Sequence, residues 1–192
     1  MRYYGATDVP LSTLGREQAH ATRRAIPGTT FESVWSSTLS RAWEFAEIIA
    51  PEHPVRIDAS FCEIDFGRWE GLTREEIQAI DPELSALWQT GGSDFGFPEG
   101  ESRARFRARI EAGLARIQAS GVRSALVVAH KGVVRTLLEL VTGQTLPPDL
   151  PELGGVVQAY RDLGGSWRTG RQGSDASCSA PAVGIPLQGT PL

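Results

Sequence analysis

The stretch Ser124-Ala125-Leu126-Val127-Val128-Ala129 is a continuous apolar run closed by His130. A strand with one wet face alternates polar and apolar residues, whereas an unbroken run fits a strand buried on both faces of a parallel sheet. Such a sheet needs helices on both sides, so this segment predicts an α/β chain with helices packed above and below. It also sets His130 at the carboxyl end of a buried strand. In open parallel sheets that is where ligands collect, because helix N-termini present free N–H groups and a positive dipole end there.

The rest of the chain supplies the helices. A first helix is expected after the Val9-Pro10-Leu11-Ser12 turn, with Ser12 as N-cap and Leu14, Ala21 and Ala25 as its apolar contacts. A strand over residues 33–37 feeds a helix marked by Leu39, Ala42, Trp43, Ala46, Ile49 and Ala50, and a second strand covers 55–58. A helical insertion follows. Thr73 with Glu76 reads as a capping box, Asp81-Pro82 opens another helix, and Ser102 opens a third that carries Phe106, Ile110, Leu114 and Ile117 and stops at Gly121. Residues 91–98, rich in glycine with two phenylalanines, read as a lid or a connector. A helix over 133–141 comes after His130, and residues 156–163 and 166–169 read as two strands joined by a Gly164-Gly165 turn. The expected organisation is one domain over 1–170 and a disordered tail over 171–192, where Gly, Ser, Pro and Ala dominate.

Composition narrows the partners. With 192 residues the chain is long enough for a single sizeable core, and a formal charge of -4 argues against nucleic acid or an acidic membrane surface as partner. Two cysteines, Cys62 and Cys178, have no spacing that suggests zinc or a disulfide framework, which fits a reducing cytoplasmic setting. No apolar run approaches the length of a membrane span.

Three polar residues fall at strand ends: Arg41 in the first turn after residues 33–37, Glu63 just past the strand at 55, and His130. An arginine can bind phosphate bidentately, a protonated histidine can donate to it, and a carboxyl group can protonate a leaving oxygen. Taken singly, each has a plainer reading: a surface arginine, a helix-capping histidine, a solvated loop carboxylate. Together they make a phosphoryl-transfer pocket without need of a metal.

Four blocks of sequence resemble the histidine phosphatase superfamily, on its branch of phosphoglycerate mutase-like proteins and broad phosphatases. They are Arg2-Tyr3-Tyr4-Gly5 through Ser12 with Gly15, Gln18 and Ala19; Ser36-Ser37-Thr38-Leu39-Ser40-Arg41-Ala42 with Ala46; Glu63-Ile64-Asp65-Phe66-Gly67-Arg68-Trp69-Glu70-Gly71; and Val127-Val128-Ala129-His130-Lys131-Gly132-Val133-Val134-Arg135. The resemblance implies a three-layer α/β/α fold with a mostly parallel sheet. It implies that Arg41 binds phosphate, Glu63 donates a proton and His130 stabilises the transferring phosphoryl group, with a small-molecule phosphomonoester as partner and no diffusible cofactor. By motif position Tyr4 and Ser102 are candidate substrate contacts, and a homodimer is a candidate assembly.

The family begins with a strand ending in an R-H-G-E-like motif whose histidine becomes phosphorylated. This chain starts after that point, and His20, His53 and His130 all occupy other positions. The expectation is a 5′-truncated or mis-started reading of a longer gene that lacks the central first strand and is inactive as it stands. Its alternatives are a phosphate-binding remnant that never forms a phosphoenzyme, or phosphoglycerate mutase-type transfer in place of hydrolysis. Cys62 and Arg68 also show the C-x5-R spacing of a thiolate phosphatase, but the intervening Glu63, Ile64, Asp65 and Phe66 do not suit a loop that must bring backbone N–H groups to a dianion.

Overall fold

The computed structural model describes residues 2–26, 31–90, 92, 95–145, 151–162 and 165–171. At its centre lie three parallel strands: β1 (Ser33–Ser36), β2 (Val55–Ile57) and β3 (Ala125–Val128), in the order β2-β1-β3. The register pairs Val34 with Val55 on one side and with Leu126 on the other. Strand side chains alternate between faces, so the sheet sorts its residues two ways. Val34, Leu126 and Val128 pack against α1 (Thr13–Ala25) and α2 (Ser40–Ile49) through Ala19, Ala46 and Ile49. On the opposite face Trp35, Ala125 and Val127 join the larger core, built with α5 (Arg103–Ala119) and α6 (Lys131–Thr142). The layering is α/β/α, as the unbroken apolar run of β3 requires.

Between β2 and α5 comes the helical insertion, α3 (Arg74–Ile80) and α4 (Pro82–Thr90). Thr73 and Glu76 form a capping box in which each residue's side chain accepts from the other's backbone N–H. Trp69 is fully buried, its indole N–H donates to Asp81 at 2.6 Å, and Trp88, Phe95 and Phe97 surround its ring. Gly67 has a φ of +55° and its Cα faces the Pro98–Gly100 backbone so closely that a Cβ would come within 2.2 Å of the Pro98 carbonyl oxygen. That contact ties the loop after β2 to the segment leading into α5.

The last two strands, β4 (Val157–Arg161) and β5 (Trp167–Arg171), form a separate antiparallel pair that packs on α6 through Ala159 and Leu138. Among the described residues no strand pairs with the outer edge of β3. The tail expected over 171–192 lies outside the described residues apart from position 171, and residues 91, 93 and 94 of the glycine-rich segment lie outside them as well. No helix among the described residues is long and apolar enough to cross a membrane.

One expectation is corrected. Helix α1 buries Gly15, Ala19 and Thr22, while Leu14 is 63% exposed and Ala21 and Ala25 face solvent. Ala19 packs in one cluster with Ala46 of α2, a Cβ at Gly15 would meet Leu11 and Ser12, and the Thr22 hydroxyl donates to the Gly154 carbonyl at 2.8 Å, so the buried stripe is the one with the weakest hydrophobic signal.

Candidate phosphate site

Three chain segments converge at the carboxyl ends of β1, β2 and β3. Helix α2 begins immediately after β1 and carries Arg41 in its first turn. The loop after β2 passes through a single 3₁₀ turn, Ala59–Phe61, capped by Asp58, and then presents Glu63. His130 is the N-cap of α6, directly after β3.

Glu63 reaches the start of α6. Its Oε2 accepts from the Gly132 N–H at 3.0 Å, and its Oε1 accepts from the Ile64 N–H at 3.0 Å. Position 132 is compatible only with glycine while the carboxyl stays there, since a Cβ would stand 2.4 Å from Oε1. Loss of water around the carboxyl raises its pKa above the ordinary 4.5, opposed by the two N–H donors and by the charges of Arg41 and Arg109. A carboxyl held towards its protonated form suits proton donation to a leaving oxygen.

His130 places Nε2 3.0 Å from the Ser37 hydroxyl at the end of β1. Burial, together with the positive charges of Arg41 and Arg109, lowers its pKa from 6.5 to about 3. The ring is therefore neutral at physiological pH in the absence of an anion, and it donates through one N–H only. A dianion beside it would reverse the electrostatic balance and favour imidazolium.

Arg41 stands within electrostatic reach of both groups and is itself ringed by the carboxylates of Glu63, Asp8 and Glu70. Its guanidinium donates to the carbonyl oxygens of Thr7 at 2.8 Å and Gly5 at 2.7 Å. The segment that supplies these carbonyls is fixed by Glu70, which accepts from the N–H groups of Gly5, Ala6 and Thr7 and from the Thr7 hydroxyl at 2.6 Å. Burial would raise the Glu70 carboxyl, but these donors and the Phe66 N–H outweigh it and hold the pKa low. Asp8 closes the same segment by accepting from the Ser40 N–H and hydroxyl, both at 2.7 Å.

The other sequence-derived positions lie nearby in unequal measure. Tyr4 is 43% exposed at the edge of this segment, and the Ser102 hydroxyl is engaged as the N-cap of α5, accepting from the Arg105 N–H. Cys62 lies beside the Ser37 and Thr38 hydroxyls. Arg68, however, is committed to Asp81 at 2.7 Å, so the C-x5-R pair does not form a phosphate loop. His20 lies on the exposed face of α1, and His53 sits in the turn after α2 with its ring edge towards Phe31.

Arg109 escaped the sequence reading. From the middle of α5 it donates to the carbonyl oxygens of Ser60, Cys62 and Glu63 at 2.7 to 2.9 Å and forms a two-point pair with Glu101. It thereby holds the backbone that presents Glu63. The only local signal is an arginine on the flank of the Phe106/Ile110 stripe, which looks like an ordinary helix-surface cation.

Comparisons with known proteins show what the chain is similar to. A family model described as histidine phosphatase superfamily (branch 1) matches residues 1–151. The adenosylcobalamin/alpha-ribazole phosphatase of Escherichia coli (strain K12) is 29% identical over 144 residues, covering 73% of this chain and 71% of its own length. The glucosyl-3-phosphoglycerate phosphatase of Mycobacterium tuberculosis (strain ATCC 25618 / H37Rv) is 31% identical over 182 residues, covering 88% and 80%. Among solved structures, the native mycobacterial glucosyl-3-phosphoglycerate phosphatase superposes with a TM-score of 0.70 at 28% identity, covering 91% of this chain and 93% of that one. The alpha-ribazole phosphatase of Shigella flexneri shares the fold with a TM-score of 0.77, covering 96% and 91%. With the family match spanning most of the chain and both layers of helices in place around the parallel sheet, the chain belongs to the histidine phosphatase superfamily, branch 1.

Proposed function

We propose that this chain is the phosphate-gripping body of a phosphomonoester hydrolase, working through a phosphohistidine whose imidazole comes from outside these 192 residues. One observation carries the reading: Glu63 is tethered to the first turn of the helix that His130 caps, with the charge of Arg41 acting on both. In the proposed reaction the external imidazole takes the phosphoryl group while Glu63 protonates the departing alkoxide. Water then attacks the phosphohistidine, and Glu63 accepts its proton as inorganic phosphate leaves. Arg41 and His130 bind the equatorial oxygens as charge develops, which requires the anion to displace the Gly5 and Thr7 carbonyls from the guanidinium.

Hydrolysis is favoured over phosphoryl movement within a substrate because the relatives named above are phosphatases. For the 192 residues alone we propose binding without turnover, since His20 lies on the exposed face of α1, His53 sits in the turn after α2 against Phe31, and His130 is assigned another role in the proposed reaction. The edge of β3 left unpaired among the described residues is consistent with a further strand reaching the site. The test compares hydrolysis of 4-nitrophenyl phosphate by this chain and by a form extended upstream with an in-frame strand ending in R-H-G. The extended form is expected to turn over and the short one to stay at background. Turnover by the short form that is lost on His130→Asn would overturn the requirement for an external imidazole.

A further inference from the structure

At the end of β1 a single hydroxyl joins three groups. Ser37 is fully buried, and its Oγ accepts from the Leu39 N–H at 3.1 Å, donates to the Cys62 sulfur at 3.4 Å and lies 3.0 Å from His130 Nε2. A serine hydroxyl carries one proton and two lone pairs. Here the proton goes to Cys62 and one lone pair to Leu39, so only a lone pair is left for the ring. Cys62 is able to accept because its own thiol proton has an outlet in the Thr38 hydroxyl, 3.0 Å away. His130 Nε2 must therefore carry a hydrogen to bond with Ser37. The other ring nitrogen is placed differently. Among the described residues no hydrogen bond reaches Nδ1, and that atom is open to solvent.

We propose that Ser37 is a positioning residue for His130: it holds the neutral ring as the Nε2–H tautomer and leaves the unprotonated Nδ1 as the atom that meets the anion. Which nitrogen of a histidine carries the proton is set by the bond that the other makes, and Ser37 supplies that bond. Cys62 enters only as the acceptor that turns the serine proton away from the ring. The tautomer stands on the three bonds of one hydroxyl; its use in phosphoryl transfer rests on the reading of His130 as a phosphate ligand. With Nε2–H fixed on Ser37, the proton that the ring gains beside a phosphate is added at Nδ1, taken from solvent or from the P–OH of a monoanion. The new N–H then serves the phosphate oxygen as a charge-assisted donor, and the ring has no need to flip. The opposite tautomer would gain its proton at Nε2 instead, against the serine and away from the anion.

Long-range proton–nitrogen NMR correlations of the His130 ring, recorded on the 192-residue chain at neutral pH, test this without need of turnover. The wild type is expected to show Nε2–H with a bare Nδ1. Ser37→Ala should speed exchange of the Nε2 proton with water about fivefold, the scale of one neutral hydrogen bond, and let the Nδ1–H form grow in. Cys62→Ala leaves the serine in place but frees its proton to turn to Nε2, so the ring should move towards Nδ1–H. Cys62→Ser keeps an acceptor there and should retain the wild-type pattern. A role of Ser37 in packing alone would move stability and not these correlations. An Nδ1–H ring in the wild type, or a pattern untouched by both alanine variants, would overturn the assignment. Added inorganic phosphate should then protonate Nδ1 with Nε2–H still in place. A ring that phosphate leaves unchanged would remove His130 from the anion site while the Ser37 assignment stands on the phosphate-free spectra.

Discussion

Replacing Arg109 with alanine is expected to lower the melting temperature by about 6–12 °C, more than a typical substitution on a helix flank. The wild-type guanidinium satisfies three loop carbonyls and the Glu101 carboxylate at once, while its own side chain is only 25% exposed. Truncation leaves Glu101, 13% exposed, without its cation and strips the carbonyls of Ser60, Cys62 and Glu63 of their donor. Breaking such a network costs about 3 kcal/mol, a sizeable share of the roughly 5–15 kcal/mol that holds a domain folded. Arg109→Lys supplies charge but not the fork, so it should recover only part of the loss. A thermal melt of the alanine variant within 2 °C of wild type would show that the loop before Glu63 is held by packing alone. Since the same loop presents Glu63, the proposed proton donor, the variant should also weaken any activity of the upstream-extended form.

The second large effect concerns Glu63 itself. In the upstream-extended form of the proposed reaction, Glu63→Gln should lower kcat by about 10²–10⁴-fold, because glutamine retains the shape but can neither protonate the alkoxide nor deprotonate water. Retention of kcat within tenfold would remove Glu63 from the proton-transfer role. The same substitution has an opposite signature in stability. The Glu63 pKa is raised in the folded state, so the native protein binds more protons than the unfolded chain between 4.5 and the higher folded value. Its contribution is complete below pH 4.5 and is lost as pH rises through that window. The stability difference should therefore move in favour of Glu63→Gln as pH increases above 4.5. A pH-independent difference in denaturation midpoints would contradict the burial argument.

How much of this was legible in the sequence depends on where each residue's partners lie. Helix α5 was legible because Phe106, Ile110, Leu114 and Ile117 repeat at helical spacing and all four are buried. Strand β3 was legible because burial on both faces leaves no room for alternation. The face of α1 was not, because tight packing favours Gly15 and Ala19 over Leu14 and so inverts the usual signal. At the site, Arg41, Glu63 and His130 stood at strand ends within recognisable blocks, and topology alone brings such positions to one rim. Arg109 and Glu70 were not legible. Most of their partners are backbone groups 46 to 65 positions away, and neither periodicity nor a local motif encodes a side chain reaching for a distant carbonyl or N–H. The commitment of Arg41 to the Gly5 and Thr7 carbonyls was equally unreadable, since it depends on how Glu70 and Asp8 fold the first residues across the site.

That Arg41, Glu63 and His130 form one anion cradle is tested most directly by following the His130 ring by NMR as pH is lowered, with and without saturating inorganic phosphate, using His130→Asn to assign the signal. Without phosphate the ring should stay neutral until about pH 3. With phosphate bound its titration should move up towards the ordinary histidine range, and Arg41→Gln should require far more phosphate to produce the same movement. Identical titration of His130 in the presence and absence of phosphate would contradict the account.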